Sequence, residues 1–308
     1  MKHIYKLTLC AIVGAMAVGA TAATPSVTEV FKNKVLKTMT VEGQSRTLNY
    51  NVLNQLESVT GSDYSCTFTY QGGEYNGFAY DAIITEVDSE DPRDIVTTTL
   101  YVKLNDMGFI VSAYQEEEED GDVDAELFTF TYDAQGYMVS MTKKEEAEKT
   151  NLTWVDGNLT KVQVIDQYEG LEGESDITYS ANINTNGLMF YDLMGVDLDE
   201  LEIAYYAGML GRPSENLPSQ IKDEEGDTGQ FSWTLSDNDP TQVAYTEDRD
   251  TAIITFSWIT LAGISSVTND AHMVDEWYTI DGLKVSAPNH GLYLHRSSDG
   301  KTQKVFLK

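Results

Sequence analysis

Few of the side chains that usually carry out catalysis or hold metals occur in the body of this chain. Its four histidines are His3, His272, His290 and His295, so residues 23–262 contain none. Ser–His and Cys–His nucleophile pairs and histidine-bound zinc therefore cannot form within that region. The motifs H-E-x-x-H and G-x-S-x-G and a phosphate-binding glycine loop do not occur there either. The sequence predicts no cofactor and no catalytic residue.

Carboxylates are the remaining reactive groups, and the chain has 50 of them. Glycoside hydrolysis needs only two acids held about 5 to 9.5 Å apart. With so many acids, some pair meets that distance by chance, and the sequence singles out none. A glycan-active hydrolase that uses paired carboxylates is therefore the alternative to a protein without catalysis.

Three aspartates at alternate positions, Asp120, Asp122 and Asp124, are candidate metal ligands. Calcium accepts oxygen ligands with such spacing. Counted from Asp120, however, the segment lacks the glycine at the sixth position and the glutamate at the twelfth position of a calcium-binding loop. The acidic run at 116–124 is therefore better interpreted as a solvated tip between two strands.

Aromatic side chains are the candidates for ligand binding, and they are Trp154, Trp233, Trp258, Tyr101 and Tyr137. A tryptophan can stack on a sugar ring. Each tryptophan here also follows a leucine or a phenylalanine by two positions, which puts both on one strand face and favours a place in the core. The two tyrosines lie off that register and are candidates because we expect their side chains to be exposed.

The elements that must position these residues are β-hairpins. Residues 100–113, 128–141 and 152–164 each contain an alternating strand, a turn with Gly and Asp or Asn, and a second alternating strand. Glycine supplies the positive φ that such turns require, and the period of two gives each strand one apolar face. The sequence predicts an all-β protein, an antiparallel meander of about ten to fourteen strands. The meander would form a curved sheet or barrel-like body, followed by a small C-terminal β segment.

One segment, residues 198–210, departs from the strand pattern. Its apolar residues recur at helical spacing, and Asp197 with Glu200 resembles a capping box. Gly211 and Pro213 follow where a helix would end. We expect one short amphipathic helix, which would cover an open end or an apolar face of the sheet.

Charge and cysteine content restrict the partners and the compartment. The formal charge of −30 gives a surface that repels nucleic acid and anionic lipid. Cys66 is the one cysteine outside the first 22 residues, so no internal disulfide can form in an oxidising compartment. It alternates with Phe68 and Tyr70, which predicts a small buried side chain and not a nucleophile.

Residues 1–22 have the pattern of a secretory signal peptide. A short basic region is followed by an apolar stretch, Leu7 to Ala20, and by an A-x-A cleavage site. The apolar stretch is too short for a membrane-spanning helix. We predict a signal peptide (1–22), a β body (23–262) and a C-terminal segment (263–308), in a protein that acts outside the cytoplasm.

Short alternating strands separated by glycine are predicted within residues 277–308. They contain a Tyr-x-x-x-Gly-x-x-Val strand, a Gly-x-Tyr strand and an end rich in lysine and valine. The residues concerned are Tyr278, Gly282, Val285, Gly291, Tyr293, Lys304, Val305 and Lys308. This arrangement resembles the C-terminal sorting region of proteins exported by the type IX (Por) secretion route of Bacteroidota. The resemblance implies that export machinery recognises the segment and passes the protein across the outer membrane.

The body carries a second set of recurring residues. Hairpins of the form Tyr-x-x-x-Gly-x-Φ, with Φ apolar, repeat along it, and Tyr179 is followed by several asparagines. Residues 205–207, 210–211 and 214–218 form the expected helix and its exit. Over residues 45–258 these features resemble an uncharacterised family of secreted Bacteroidota proteins, catalogued as a domain of unknown function with a porin-like fold. The resemblance implies a fold and no activity.

These observations predict a non-catalytic protein, secreted or attached to the cell surface, that binds a glycan, a small ligand or a protein partner. A small outer-membrane barrel is a further alternative because alternating strands suit it too. It is disfavoured because the polar faces carry many acids and no girdle of aromatic residues is evident at the strand ends.

Overall fold

The structure is a computed structural model, and it describes residues 30–31, 34–51, 53–91, 94–119, 122–247, 250–260, 276–279, 284–285, 291–296 and 302–307. The predicted signal peptide and the predicted boundary between body and C-terminal segment lie outside these residues.

The body is a closed barrel of sixteen antiparallel strands. The strands are β1 Val35–Val41, β2 Gln44–Tyr50, β3 Leu56–Thr60, β4 Tyr64–Thr69, β7 Ala82–Asp91, β8 Asp94–Leu104, β9 Ile110–Glu119, β10 Asp122–Tyr132, β11 Met138–Lys143, β12 Glu148–Val155, β13 Asn158–Asp166, β14 Gly170–Ile183, β15 Asn216–Asp223, β16 Thr228–Ser236, β17 Asp239–Glu247 and β18 Asp250–Ile259. Each barrel strand pairs with the next along the chain, and β1 pairs with β18 to close the sheet. The predicted all-β meander is confirmed, but ten to fourteen strands was too few.

Two smaller sheets accompany the barrel. A two-stranded hairpin, β5 Gly73–Tyr75 and β6 Phe78–Tyr80, is inserted between β4 and β7. The C-terminal segment forms a four-stranded sheet in the order β20-β19-β21-β22, built from β19 Glu276–Thr279, β20 Lys284–Val285, β21 Gly291–Arg296 and β22 Thr302–Leu307. A small C-terminal β segment was expected, and a sheet is present there.

The hairpin turns repeat one local solution. The side-chain oxygen of Asn105 accepts the backbone N–H groups two and four residues later, and the carboxylate of Asp133 does the same in its own turn. Each turn then needs a left-handed residue, which is supplied by Gly108 with φ +82° and by Gly136 with φ +91°. A side chain with a Cβ rarely adopts this φ, so the Asx-x-x-Gly pattern determines where these strands reverse.

The two faces of the barrel have opposite polarity. Inward positions are apolar and buried, as on β4, where Tyr64, Cys66 and Phe68 are buried. Outward positions carry hydroxyl groups that pair across strands. Such pairs are Thr38–Ser257, Thr131–Ser140, Thr178–Ser219 and Thr246–Thr251. The predicted burial of Cys66 is confirmed, and the apolar side of each hairpin faces the inside of the barrel.

The inside of the barrel is filled by the connection between β14 and β15, residues 184–215, which we call the plug. Its buried side chains are Leu188, Met189, Phe190, Tyr191, Met194, Val196, Leu198, Leu201, Ala204, Tyr205, Tyr206, Ala207, Met209 and Leu210. They belong to the same core as the inward residues of the strands. The ring of Phe190 lies 6.2 Å from the rings of both Phe231 and Phe256. A sixteen-stranded barrel is wide enough to leave a channel, and here the chain occupies that space itself.

The predicted helix is shorter than expected. A 3₁₀ turn at Asp199–Glu202 leads into α1, Ile203–Tyr206. The helix ends at Tyr206, two residues before Gly208 with its φ of +78°, and does not extend to Gly211. The capping box is also wrong, because the residue before the 3₁₀ turn is Leu198 and no side chain caps it. The helix is enclosed by the barrel, so packing on every side determines its length and an amphipathic repeat does not.

A buried lysine ties the plug to the barrel wall. Lys143 lies at the end of β11, with only 2% of its side chain exposed. Its ammonium group donates to Asp197 at 2.5 Å and to Asp199 at 3.1 Å, both at the start of the helical part of the plug. A buried charge is costly unless it is paired, so Lys143 and these aspartates stabilise one another only when the plug is in place.

Aromatic side chains near the strand ends close each hairpin from the inside. In the described chain, eight barrel hairpins turn at the same end of the barrel: β1–β2, β3–β4, β7–β8, β9–β10, β11–β12, β13–β14, β15–β16 and β17–β18. In seven of these eight, a tyrosine O–H or a tryptophan N–H of the second strand or its end donates to a backbone carbonyl near the start of the first strand, at 2.6–3.0 Å. The donors are Tyr50, Tyr70, Tyr132, Trp154, Tyr179, Trp233 and Trp258. In the hairpin of β7 and β8, Asp81 instead accepts the N–H of Leu104. We call these residues the aromatic clamps. The clamps form a row of aromatic residues near the strand ends, which was not evident from the sequence.

Replacing a clamp by its isostere without the hydroxyl group is expected to destabilise the barrel. Tyr132→Phe leaves the carbonyl of Ile110, 2.8 Å from the lost hydroxyl, without this donor. The expected loss is about 1–2 kcal/mol in the free energy of unfolding, measured by urea denaturation. Tyr168→Phe is the matched control, because the side chain of Tyr168 is 87% exposed. Equal stability of the two variants would contradict a structural role for the clamps.

Candidate functional site

A cavity of about 340 Å³ lies between the plug and the barrel wall. It is at the end of the barrel where the β1–β2, β3–β4 and β17–β18 hairpins turn, which we call the cavity end. The plug leaves β14 and joins β15 at the opposite end, the entry end. The strands that line the cavity are β1, β2, β4, β7, β17 and β18. Barrel closure is therefore needed to form it, because its walls come from both ends of the barrel sequence.

Most of the cavity wall is apolar or aromatic. The apolar side chains are Met39, Val41, Phe190, Leu193, Ile203, Ala252 and Ile254, and three phenol rings belong to Tyr64, Tyr206 and Tyr245. A concave, largely apolar surface of this size with a few polar groups is the usual form of a small-molecule site.

Glu86 places a carboxyl group in this wall. It lies on β7 in register with the buried residues Ala82 and Ile84, so its side chain points inward. Burial raises the pKa of Glu86 to about 7, and a hydrogen bond with the hydroxyl group of Tyr64 partly opposes the shift. Glu86 therefore changes its charge near neutral pH.

Glu202 is a second carboxyl group of the same cavity, contributed by the plug. Burial raises its pKa to about 7, and the nearby charge of Asp192 adds to the shift. The backbone N–H of Tyr191 donates to Glu202 at 3.1 Å and holds the side chain in place. Strand and plug thus bring two titrating glutamates to one cavity.

Arg46 is the positively charged residue in the cavity lining. Its guanidinium carbon lies 3.8 Å from the centre of the Tyr64 ring, a cation–π contact. The charge of Arg46 also favours the ionised forms of Glu86 and Glu202. At this wall of the cavity, a cationic side chain of the protein itself therefore lies against an aromatic ring.

Two of the remaining acids of the lining have partners of their own. Asp199 accepts from Lys143, although burial raises its pKa. Glu200 accepts from the amide nitrogen of Gln115 at 3.1 Å. The side-chain oxygen of Gln115 is buried and has no hydrogen-bond partner among the described residues. The cavity end therefore offers more acceptors than donors.

The sequence did not single out these cavity residues, although a signal was present. Glu86 and Arg46 each occupy an inward register position on a strand: Glu86 follows Ala82 and Ile84, and Arg46 precedes Leu48. A charge on the apolar face of a strand indicates a paired or functional site. Which strands face each other across the barrel could not be read from this pattern.

The three tryptophans that were candidates for sugar binding are all aromatic clamps. Trp154 donates to Met138, Trp233 to Pro218 and Trp258 to Pro240, at 2.6–2.7 Å. All three pack against the core. Their indole N–H groups are thus engaged in the barrel, at the entry end and away from the cavity. A role in ligand binding stays a prediction.

The two candidate tyrosines lie in separate places. Tyr101 is on the outer face of β8, where its ring stacks on Tyr75 of the inserted hairpin at 4.2 Å. Burial raises its pKa to about 12. Tyr137 stacks on Trp154 at 4.5 Å, at the entry end. Neither is among the residues that line the cavity, and binding by either also stays a prediction.

The described structure covers only part of the segment that contains the three candidate metal ligands. Asp120 lies outside the described residues. Asp122 begins β10, where its backbone pairs with Glu119, and Asp124 is exposed further along the same strand. In the ranges that the structure describes, no group of three or more His, Cys, Asp or Glu side chains is arranged to hold a metal ion.

A family model matches residues 62–255, more than half of the chain, and is described as a domain of unknown function (DUF4595) with porin-like fold. The match covers β4 to β17, the plug, part of β18 and most of the cavity wall. The chain belongs to this family. Membership of the porin-like family agrees with the closed barrel and assigns no activity.

Two solved structures are similar to this chain. A porin-like protein from Bacteroides uniformis is 14% identical, with a TM-score of 0.50; the match covers 73% of this chain and 98% of that one. A porin-like protein from Bacteroides vulgatus is 13% identical, with 74% and 99% covered and a TM-score of 0.37. At such identities the first likeness concerns the fold alone. No curated protein matches the chain.

None of the helices in the described part of the chain has the length and the apolar character that a membrane span requires.

The two cavity glutamates are expected to make stability depend on pH. Their pKa is raised from the ordinary 4.5 to about 7 in the folded chain. Their contribution is therefore fully present below about pH 4.5 and is lost as the pH rises through about 7. In the double variant Glu86→Gln/Glu202→Gln both side chains stay neutral at every pH. As the pH rises through about 7, its free energy of unfolding should therefore fall less than that of the unaltered protein, by about 1–3 kcal/mol per site.

Urea denaturation at several pH values measures this effect. Glu57→Gln is the matched control because Glu57 is exposed on β3. An unchanged pH dependence in the double variant, equal to that of the control, would show that the two carboxyl groups are not buried as described.

Proposed function

We propose that this member of the porin-like family is a non-catalytic protein, located outside the cytoplasm, that binds a small, largely apolar ligand in the cavity at the cavity end of its barrel. The observation that carries the proposal is the cavity itself. It is apolar over most of its wall and has a few polar groups at fixed positions.

The arrangement of the plug supports binding over transport through the barrel. Tyr191, Tyr205 and Leu210 are fully buried along the axis of the plug. The hydroxyl group of Tyr191 donates to Leu210, and that of Tyr205 donates to Gly187, which holds the plug in one conformation. The plug therefore blocks passage through the barrel, and a ligand that enters at the cavity end would remain in the cavity.

The distribution of polar and apolar side chains supports a barrel whose outer surface faces water. Membrane-spanning barrels present an apolar band to lipid and a polar inside. Here the hydroxyl pairs, such as Thr131–Ser140, lie outside and the apolar residues lie inside. The signal-peptide pattern of residues 1–22 and the sorting-like C-terminal segment support a place on the cell surface or in the medium.

A glycan-active hydrolase is the second candidate, because Glu86 and Glu202 both lie at one cavity and both have a pKa of about 7. Glycoside hydrolysis needs one acid protonated and the other ionised. Burial raises the pKa of both carboxyl groups, so their pKa values do not distinguish a protonated acid from an ionised partner. No tryptophan is among the residues that line the cavity, whose aromatic rings belong to tyrosines and Phe190. Binding without turnover is the better reading.

The neutral fluorescent probe N-phenyl-1-naphthylamine tests the cavity. We expect one probe to bind per chain, with a dissociation constant in the micromolar range, roughly 8 kcal/mol. Ala252→Phe places a ring in the cavity and should abolish the fluorescence increase. Thr255→Phe, which adds the same ring to the exposed outer position three residues later on β18, should leave it unchanged.

Two results would contradict the proposal. Probe fluorescence that survives Ala252→Phe in a folded variant would place binding elsewhere. Release of reducing sugar from a panel of polysaccharides, abolished by Glu86→Gln, would show that the hydrolase is correct. Circular dichroism and the unfolding midpoint establish that each variant retains the barrel.

A further inference from the structure

The polar groups of the cavity are strongly asymmetric in charge. Its lining contains the carboxyl groups of Glu86, Asp192, Asp199, Glu200 and Glu202, against the guanidinium of Arg46. Lys143 compensates Asp199 from outside the cavity. Four carboxyl groups therefore share one guanidinium, and a bound anion would have to approach all four of them.

The surroundings of the cavity continue the same asymmetry. A second hollow of about 260 Å³ shares Asp192, Leu193 and Tyr245 with it. The further side chains there include Asp223, Asp227 and Glu247 and no lysine or arginine. A ligand that carries donors and a positive charge would satisfy these carboxyl groups.

The aromatic rings of the lining suit the same kind of ligand. Tyr64, Tyr206 and Tyr245 all line the cavity. The faces of such rings attract organic cations, and ammonium groups are often bound between several of them. The contact of Arg46 with Tyr64, at 3.8 Å, shows this interaction already present at one wall.

We propose that the ligand is an organic cation, with its ammonium group held between Glu86 and Glu202 and the tyrosine rings, and with its apolar body against β1 and β18. This inference rests on the proposed function, since it names the chemical class of the ligand for the same cavity. The apolar body would contact Met39, Val41 and Ile254. An inorganic cation would leave that wall without a partner.

Binding of such a ligand is coupled to the release of protons. A positive charge beside a carboxyl group favours its ionised form. Glu86 and Glu202 have a pKa near 7 in the free protein, so the ligand displaces protons from them below that pH. Affinity for the cation should therefore rise as the pH rises through about 7, and affinity for a neutral analogue should not.

Three matched probes test the inference by isothermal titration calorimetry: 2-phenylethylammonium, 2-phenylethanol and 3-phenylpropanoate. We expect the ammonium compound to bind about tenfold or more tightly than the alcohol, and the carboxylate to bind most weakly. Glu86→Gln with Glu202→Gln should remove this preference, while Glu57→Gln on the outer face should retain it.

Proton release by the unaltered protein provides a measurement that needs no variant. Titration at a pH below 7 in buffers of different ionisation enthalpy should show net release for the ammonium compound and none for the alcohol. No release, or a preference that the double variant retains, would overturn the inference.

The outcomes also separate this inference from the proposed function. If the alcohol or the carboxylate binds at least as tightly as the ammonium compound and Ala252→Phe abolishes the binding, the cavity is a ligand site but not one for cations. If none of the three probes binds while N-phenyl-1-naphthylamine does, this inference is wrong and the proposed function stands; if that probe does not bind either, both are wrong.

Discussion

The width of the barrel is the constraint on which the rest of this structure depends. Eight strands enclose a space that their own side chains can fill, whereas sixteen strands enclose a channel. The inward faces here are apolar, so a water-filled channel would leave them hydrated at a large cost in free energy. Residues 184–215 remove that cost by packing inside. The fold is thus a sheet wrapped around a segment of its own chain, and neither part buries its apolar surface without the other.

The same constraint explains where polar groups occur inside the barrel. At the entry end the aromatic clamps, such as Trp233 and Tyr179, satisfy backbone carbonyls while their rings pack on the core. At the cavity end the plug turns back on itself, and its acidic residues meet Lys143 and Arg46. Beside Met39, Val41, Ala252 and Ile254 of β1 and β18 the plug does not fill the space, and a cavity is left. Buried carboxyl groups that are only partly neutralised reduce stability, and their presence beside an apolar hollow is more typical of a binding site than of a core.

Much of the fold could be predicted from the sequence because its signals are local. The Asx-x-x-Gly turns at Asn105 and Asp133 and the period-two pattern around Cys66 depend on a few neighbouring residues. The plug could not be predicted in the same way. Its helical pattern at 198–210 was correct in kind but too long, since the helix ends at Tyr206 and the plug packs inside the barrel. Strand β9 was predicted too short because its charged end, residues 116–119, was taken for a loop.

The candidate site was less predictable because it depends on closure. Arg46 and Glu86 are far apart in the sequence, and they line one cavity only when β1 pairs with β18 and the plug is inside. The sequence favoured aromatic residues as the binding candidates. In the structure the indole N–H groups of the three tryptophans among them donate to backbone carbonyls and link the strands of their hairpins. The charged residues at inward register positions were the better indicator, because a charge facing an apolar core requires a specific reason.

Amide hydrogen exchange of the plug tests the central claim most directly. If residues 188–210 fill the barrel, their amides should be protected to a degree comparable with those of the central residues of β16 and β18, and should open together with the barrel. Exchange of these amides as fast as that of the exposed turn at 224–226, in a protein whose strands remain protected, would mean that the segment lies outside and that the barrel is a channel.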